Sequence, residues 1–354
     1  MPGRYTPLLI LSALVVGLQL ATAATGTSYY LTQLTMTAYY TLVVVGLCIL
    51  MGYAGQISLG HAGFFAIGGY TTAFLTTFNL APHAQQPVAA LLLRTGLAVS
   101  GRDLYGAALT TLHPGLAFLC ALALAAGVAV LIGIPVLRLK GHYLAMATLG
   151  FGLIVYRVVL GTPALGAADG LSDVPAFVLA PGVKIAGGAA GRIANYYAAW
   201  GLVILGALLV LNLMHSRAGR ALAAIHGNEA AAQALGINTA AFKLRLFVFS
   251  AILAAAAGAL LTHYTGGIGP SEAGIMKSVR YVAIVAVGGM ANLWGTIGAS
   301  ALLNFLSLRG YFGIYDDAVF GGCLVGMMLF APQGLRARAT FDRLRAWVRG
   351  RRRT

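Results

Sequence analysis

Ten apolar runs, most close to the ~20 residues that cross a bilayer as a helix, recur along this chain. They are read at about 7–25, 30–51, 59–79, 115–137, 142–161, 197–214, 244–264, 279–290, 293–309 and 316–331. A run of this length must satisfy its own backbone hydrogen bonds inside lipid, and a helix does so within one segment. A β-barrel would instead show short stretches alternating apolar and polar residues, and these runs are continuous. With 59% hydrophobic and 9% charged residues, the chain lies far from the roughly one-quarter charged of soluble domains. The expected fold class is therefore all-α, a polytopic transmembrane bundle of about ten spans with glycine-broken helices.

Charge sets the expected orientation. The net charge of +15 is concentrated after the last apolar run, in Arg336, Arg338, Arg343, Arg345, Arg349, Arg351, Arg352 and Arg353. Such clusters orient a membrane protein and hold anionic lipid, and their placement argues against nucleic-acid binding. Keeping this tail and the loop 215–245 on one side requires an even number of crossings between them. Spans 279–290 and 293–309 must then be separate, meeting at the Gly288–Gly295 turn, rather than one long helix. Ten crossings put Arg4, Arg138, Lys140 and both termini in the cytoplasm. Asp103, Asp169, Asp173, Glu272, Asp316 and Asp317 then fall outside. The division expected is a permease domain over 1–335 and a basic cytoplasmic tail over 336–354. Residues 4–23 also resemble a cleavable signal peptide, although the apolar run is long enough to remain as an anchor.

The loop 215–245, HSRAGRALAAIHGNEAAAQALGINTAAFKLR, is polar and alanine-rich between two apolar runs. Asn228 suits a helix N-cap, Glu229 its first turn and Gly236 its end, with Thr239 capping the next helix. Flanked by Arg217, Arg220, Lys243 and Arg245, this helix is suited to a soluble partner. The run Met51–Tyr70 holds six glycines together with Gln56, Ser58 and His61. Glycines here permit either close packing or a broken helix lining a path, and the three polar side chains favour the second. Tyr143 and Thr148 are further pathway candidates, in a run whose small-residue face also suits packing. Arg157, near the end of its span, is expected to snorkel to the headgroups. Trp294 reads as an interfacial anchor, and Asn292 and Asn304 as helix–helix hydrogen bonds.

Several chemistries find no support. Cys48, Cys120 and Cys323 sit in apolar runs without metal-like spacing, and the histidines form no ligand pair. There is no G-x-x-x-x-G-K-[ST] phosphate loop, so ATP hydrolysis is not expected on this chain. No acid falls in the middle of a predicted span, which argues against an ion-coupled carrier acting alone. Ser58 and His61 lack a nearby acid to orient them as a nucleophile pair. The long loops 80–114 and 162–196 suit either docking of a soluble protein or simple connection.

In GYAGQISLGHAGFFAIGGYTTA (52–73), LKGHYLAMATLGFG (139–152), Ala168–Leu171, SRAGRALAAIHGNEAAAQALGIN (216–238) and VGGMANLWGTIGASAL (287–302), the chain resembles LivM-type permease subunits of branched-chain amino acid ABC importers. That resemblance implies a non-catalytic subunit in the bacterial inner membrane that binds no cofactor itself. ATP and magnesium would sit on two cytoplasmic ATPase subunits, alongside a homologous permease and a periplasmic substrate-binding protein. Arg220, Asn228, Glu229, Ala231 and Gly236 would belong to the coupling helix that meets the ATPase. The chain departs from the family pattern at His142 and Leu153, where an acid is common. Related permeases carry urea, short amides or other amino acids on the same scaffold.

Overall fold

A computed structural model describes residues 5–83, 98–102, 108–139, 141–180 and 183–330. Arg4, Asp103, Lys140 and the basic tail 336–354 lie outside the described residues. Each of the ten apolar runs contains a helix: α1 (Thr6–Ala24), α2 (Tyr30–Ala54), α3 (His61–Thr77), α4 (Pro114–Val136), α5 (His142–Gly161), α6 (Arg192–His215), α9 (Thr239–Thr265), α10 (Ile275–Gly288), α11 (Leu293–Leu308) and α12 (Asp316–Phe330). Two more, α7 (Arg217–Gly227) and α8 (Glu229–Ala234), lie between α6 and α9. Six of these helices (α1, α2, α4, α5, α6 and α9) are long and apolar enough to cross a membrane. At 14 residues, α10 spans about 21 Å, short of a ~30 Å hydrocarbon core.

The chain departs from the all-α expectation in its two long connecting segments. Strands β1 (Ala98–Arg102) and β2 (Ala108–Leu112) form one antiparallel hairpin, and β3 (Phe177–Ala180) and β4 (Val183–Ile185) a second. Sequence alone missed them because each strand is short and lacks a clear alternating pattern.

The core is built around α2. Leu42, Val43, Val44 and Val45 are all fully buried. Four consecutive helical residues point around most of the circumference, so α2 is enclosed on every side. Its neighbours include α6, α9 and α11. α1 lies at the opposite extreme: Leu9, Ile10 and Leu20 are exposed, and Val15 and Thr22 are its buried residues.

Small residues set the closest approaches. On α4 the buried positions are Ala117, Ala121, Ala125, Ala129 and Gly133, one every fourth residue. That stripe lets α4 lie close to α3 and α9. Where α3 crosses α9 the fit is reciprocal. A Cβ on Gly68 would strike the Ala255 carbonyl, and one on Gly258 would strike the Phe65 carbonyl.

The two readings of the 279–309 stretch resolve as separate helices, α10 ending at Gly288 and α11 beginning at Leu293. Asn292 caps α11, accepting a hydrogen bond from the Gly295 N–H at 3.2 Å, instead of bonding across helices. Asn304 bonds within α11 to Ser300, whose hydroxyl pairs with that of Thr41 on α2 at 3.0 Å. Arg157 lies exposed on α5.

Candidate functional site: a broken helix and a capped helix pair

The interruption in the Met51–Tyr70 run is a real break. Gly55 ends α2 with φ +64°, where a side chain would be strained, and α3 begins at His61. The Gly55 and Gln56 N–H groups both fold back to the Leu50 carbonyl. Gln56, Ser58 and His61 are all buried. Buried, non-helical backbone needs partners from elsewhere. The Leu59 N–H donates to Thr148 Oγ1 of α5 at 3.0 Å, and the Ala62 N–H to Ser278 Oγ of α10 at 3.2 Å. His61 reaches Ser58 Oγ through Nδ1 at 3.1 Å and Ser250 Oγ of α9 through Nε2 at 2.7 Å. Four helices thus meet at one polar node.

This arrangement brings together Ser58, His61 and Thr148, while the Gln56 side chain is buried in the same break without joining their hydrogen bonds. Tyr143 is placed elsewhere, 72% exposed in the first turn of α5. The second nitrogen of His61 faces a serine hydroxyl, whereas a serine–histidine nucleophile pair needs a carboxylate there. Gln56 differs from its neighbours, since both its amide oxygen and nitrogen are buried without a hydrogen-bond partner. A buried amide in that state costs on the order of 1–3 kcal/mol.

The polar segment between α6 and α9 folds as two short capped helices. Ser216 caps α7 by accepting from the Gly219 N–H at 3.3 Å, and Asn228 caps α8 by accepting from the Ala231 N–H at 3.1 Å. Gly236 follows α8 with φ +82°, and the Ile237 N–H returns to the Ala232 carbonyl at 3.1 Å. The cap of α9 is Asn238, not Thr239: its side chain accepts from the Ala241 N–H at 3.1 Å. Thr239 is already helical, and its hydroxyl accepts from Gln233 Nε2 at 2.8 Å. Because α9 starts at Thr239, Lys243 and Arg245 belong to its first turns and not to a loop.

These helices are braced from two sides. Leu222 and Ile225 of α7 and Ala232 of α8 are buried, and Glu229 forms a 2.6 Å ion pair with Lys243 of α9. A Cβ on Gly55 would meet the His226 ring, so α7 abuts the break after α2. The outward surface carries Arg217, Arg220, Ala231 and Gly236, with Leu235 80% exposed.

Sequence reading missed two charged clusters. Arg280 of α10 pairs with Asp316 and, at 3.2 Å, with Asp317 of α12, and its guanidinium lies 4.6 Å from the centroid of the Phe320 ring. The other joins Glu272, Lys277 and Tyr40. The spacing of Glu272, Lys277 and Arg280 just ahead of an apolar run was the available signal.

The chain is 32% identical over 321 residues to the high-affinity branched-chain amino acid transport system permease protein LivM of Salmonella typhimurium, covering 85% of this chain and 68% of that protein. For the LivM protein of Escherichia coli the identity is 31% with the same coverage. The LivH permease of Escherichia coli is 24% identical over 89% of this chain and 98% of its own length. No solved structure matches the chain. Residues 29–331, which hold both the broken helix and the capped helix pair, match the permease component of branched-chain amino acid transport systems, and the chain belongs to that family.

Proposed function

We propose that this chain is the non-catalytic membrane half of an ATP-driven importer that carries branched-chain amino acids across the bacterial inner membrane. A homologous permease completes the membrane unit, two cytoplasmic ATPases bind ATP and magnesium, and a periplasmic binding protein delivers substrate. Ten crossings, counting the short α3, α10, α11 and α12 as one each beside the six longer helices, would put both termini in the cytoplasm and α7 and α8 on the ATPase side. The observation that carries the reading is the α7–α8 pair. It is short, capped at each start, fastened to α9 by Glu229 and Lys243, and exposes Leu235 on its outer face.

The same pair offers a route for force. ATPase closure pushes α8, and the push reaches α9 through Lys243 and the end of α2 through His226 against Gly55. Both routes converge on the polar node, since Ser250 lies on α9 and Gln56 follows Gly55. A helix bundle held at such a break switches between two packings, which is what alternating access requires.

Purifying the tagged chain from its native membrane tests the assembly. ATPase subunits and a second permease are expected with it. Recovery of the chain alone, still moving leucine without ATP, would overturn the importer reading. Gln56 gives a second test. Gln56→Met removes two unpartnered polar atoms, so the melting temperature is expected to hold or rise while leucine uptake falls. A variant that transports as well as the parent would remove Gln56 from the path.

A further inference from the structure

α1 is tied to α6 at three points and leaves most of its surface open. Tyr5 Oη donates to Asn212 Oδ1 at 3.3 Å, Tyr196 Oη to the Val15 carbonyl at 3.0 Å and Tyr197 Oη to Gln19 Oε1 at 3.2 Å. α11 is fastened elsewhere, against α2 through Ser300 and Thr41. Between α1 and α11 an apolar groove of about 630 Å³ remains, with the buried Leu34 of α2 and Trp200 of α6 at its floor. It runs from Pro7 and Trp294 at one end to Thr22, Tyr30 and Phe305 at the other. Because α1 precedes residues 29–331, one wall of this groove lies outside the family match.

The dimensions select an occupant. Pro7 and Thr22 are about 22 Å apart along a helix that rises 1.5 Å per residue. Spread over that length, the volume corresponds to a section of roughly 30 Å². A helix with its side chains, ~10–12 Å across, needs roughly 80 Å² or more. A hydrocarbon chain whose carbon neighbours sit ~4 Å away needs roughly 20 Å². The groove is therefore gauged for an acyl chain, and it is longer than the ~15 Å that makes up half of a bilayer's hydrocarbon core.

The Tyr30 end, at the face of the bundle opposite α7 and α8, carries a cation. Arg309, exposed just after α11, donates through Nη2 to the Tyr30 hydroxyl at 3.2 Å. Its guanidinium lies 4.7 Å from the centroid of the Tyr30 ring and 5.6 Å from that of Tyr29. Among the described residues no carboxylate pairs with it, since Asp316 and Asp317 are held by Arg280. A guanidinium has five N–H donors, and the bond to Tyr30 uses one, so a phosphate finds several. We propose that the groove holds one acyl chain of an anionic phospholipid whose phosphate lies on Arg309. The chain fills the space between α1 and α11 and so fastens α1 to the bundle. The site does not depend on which solute the transporter carries. Lipid that merely wetted the apolar surface would show no preference for a headgroup.

The test uses the full chain, purified with whatever assembles on it and equilibrated in mild detergent with equimolar phosphatidylglycerol and phosphatidylethanolamine of the same acyl chains. Native mass spectrometry counts the lipids retained. The parent is expected to keep phosphatidylglycerol about fivefold over phosphatidylethanolamine, the worth of one basic residue beside anionic lipid. Arg309→Gln, at an exposed position, should remove that preference while leaving the assembly intact. Gly298→Phe should lower the retained count by one lipid per chain, because Gly298 lines the groove with open space beyond its α-carbon. Gly127→Phe, on α4 and equally open, should leave the count unchanged. Equal retention of the two lipids by the parent, or a preference that survives Arg309→Gln, would overturn the site. Loss of a second permease from Gly298→Phe with its lipid count unchanged would also overturn it, and would make the groove a seat for a partner helix.

Discussion

Gly258→Leu is expected to lower the yield of folded protein in the membrane by about tenfold or more. The reason is backbone on backbone. At the crossing of α3 and α9, a side chain on Gly258 has the Phe65 carbonyl in its path, and Gly68 faces Ala255 in the same way. A flexible side chain could turn aside, but a carbonyl held in a helix cannot. Overpacking of ordinary cores costs about 1–3 kcal/mol, and forcing two helix axes apart exceeds that range. The crossing also holds His61 against Ser250, so its loss dismantles the polar node. Gly127→Leu is the control: it lies on α4 with open space beyond its α-carbon. Detergent-extracted protein followed by size-exclusion chromatography and thermal melting reads both. Equal yields and melting temperatures for the two variants would refute the close-crossing argument.

Leu235→Arg is expected to abolish ATP-driven uptake while leaving the protein folded. Leu235 is 80% exposed at the end of α8, so the substitution breaks no packing in this chain. An apolar side chain that anchors a protein interface is worth ~2 kcal/mol or more, a factor of about thirty in partner affinity. Glu229→Arg attacks the other face of the same helix. It sets a second cation against Lys243 where a 2.6 Å ion pair now ties α8 to α9. Here the ATPases are expected to bind with hydrolysis uncoupled from leucine uptake. Uptake and vanadate-sensitive ATP hydrolysis in the same proteoliposomes separate the two effects. Normal uptake in both variants would mean that α8 does not transmit force.

What was legible in the sequence followed from constraints that are local or imposed by lipid. A run of apolar residues long enough to meet the bilayer must be helical, and each of the ten runs holds a helix. The starts and stops near Asn228 and Gly236 were readable because capping depends on a few consecutive residues. The error of one residue at Thr239 is of the same kind: Asn238 and Thr239 both have capping side chains, and tertiary contact with Gln233 decides between them. Helix α7 escaped notice because its buried side chains, Leu222 and Ile225, are few among alanines and arginines. The placement of Tyr143 depends on which face of α5 turns inward, and a helix apolar around its circumference carries no such mark. The Tyr40–Glu272 contact joins residues 232 positions apart, so only the folded chain reveals it.

The complete enclosure of α2 has a consequence for how the protein is made. Among its neighbours is α11, which ends at Leu308, whereas α2 itself ends at Ala54. Some 250 residues must therefore leave the ribosome after α2 before its last wall exists. At 5–20 residues per second, that is roughly 13–50 seconds during which a helix destined for the interior still has part of its surface open to lipid. Its valines and leucines serve first as an address to the bilayer and only later as core. Its threonines bridge the interval by bonding to their own backbone, as Thr35 does to Leu31 and Thr41 to Thr37. The most buried helix of the finished protein must first be able to wait alone.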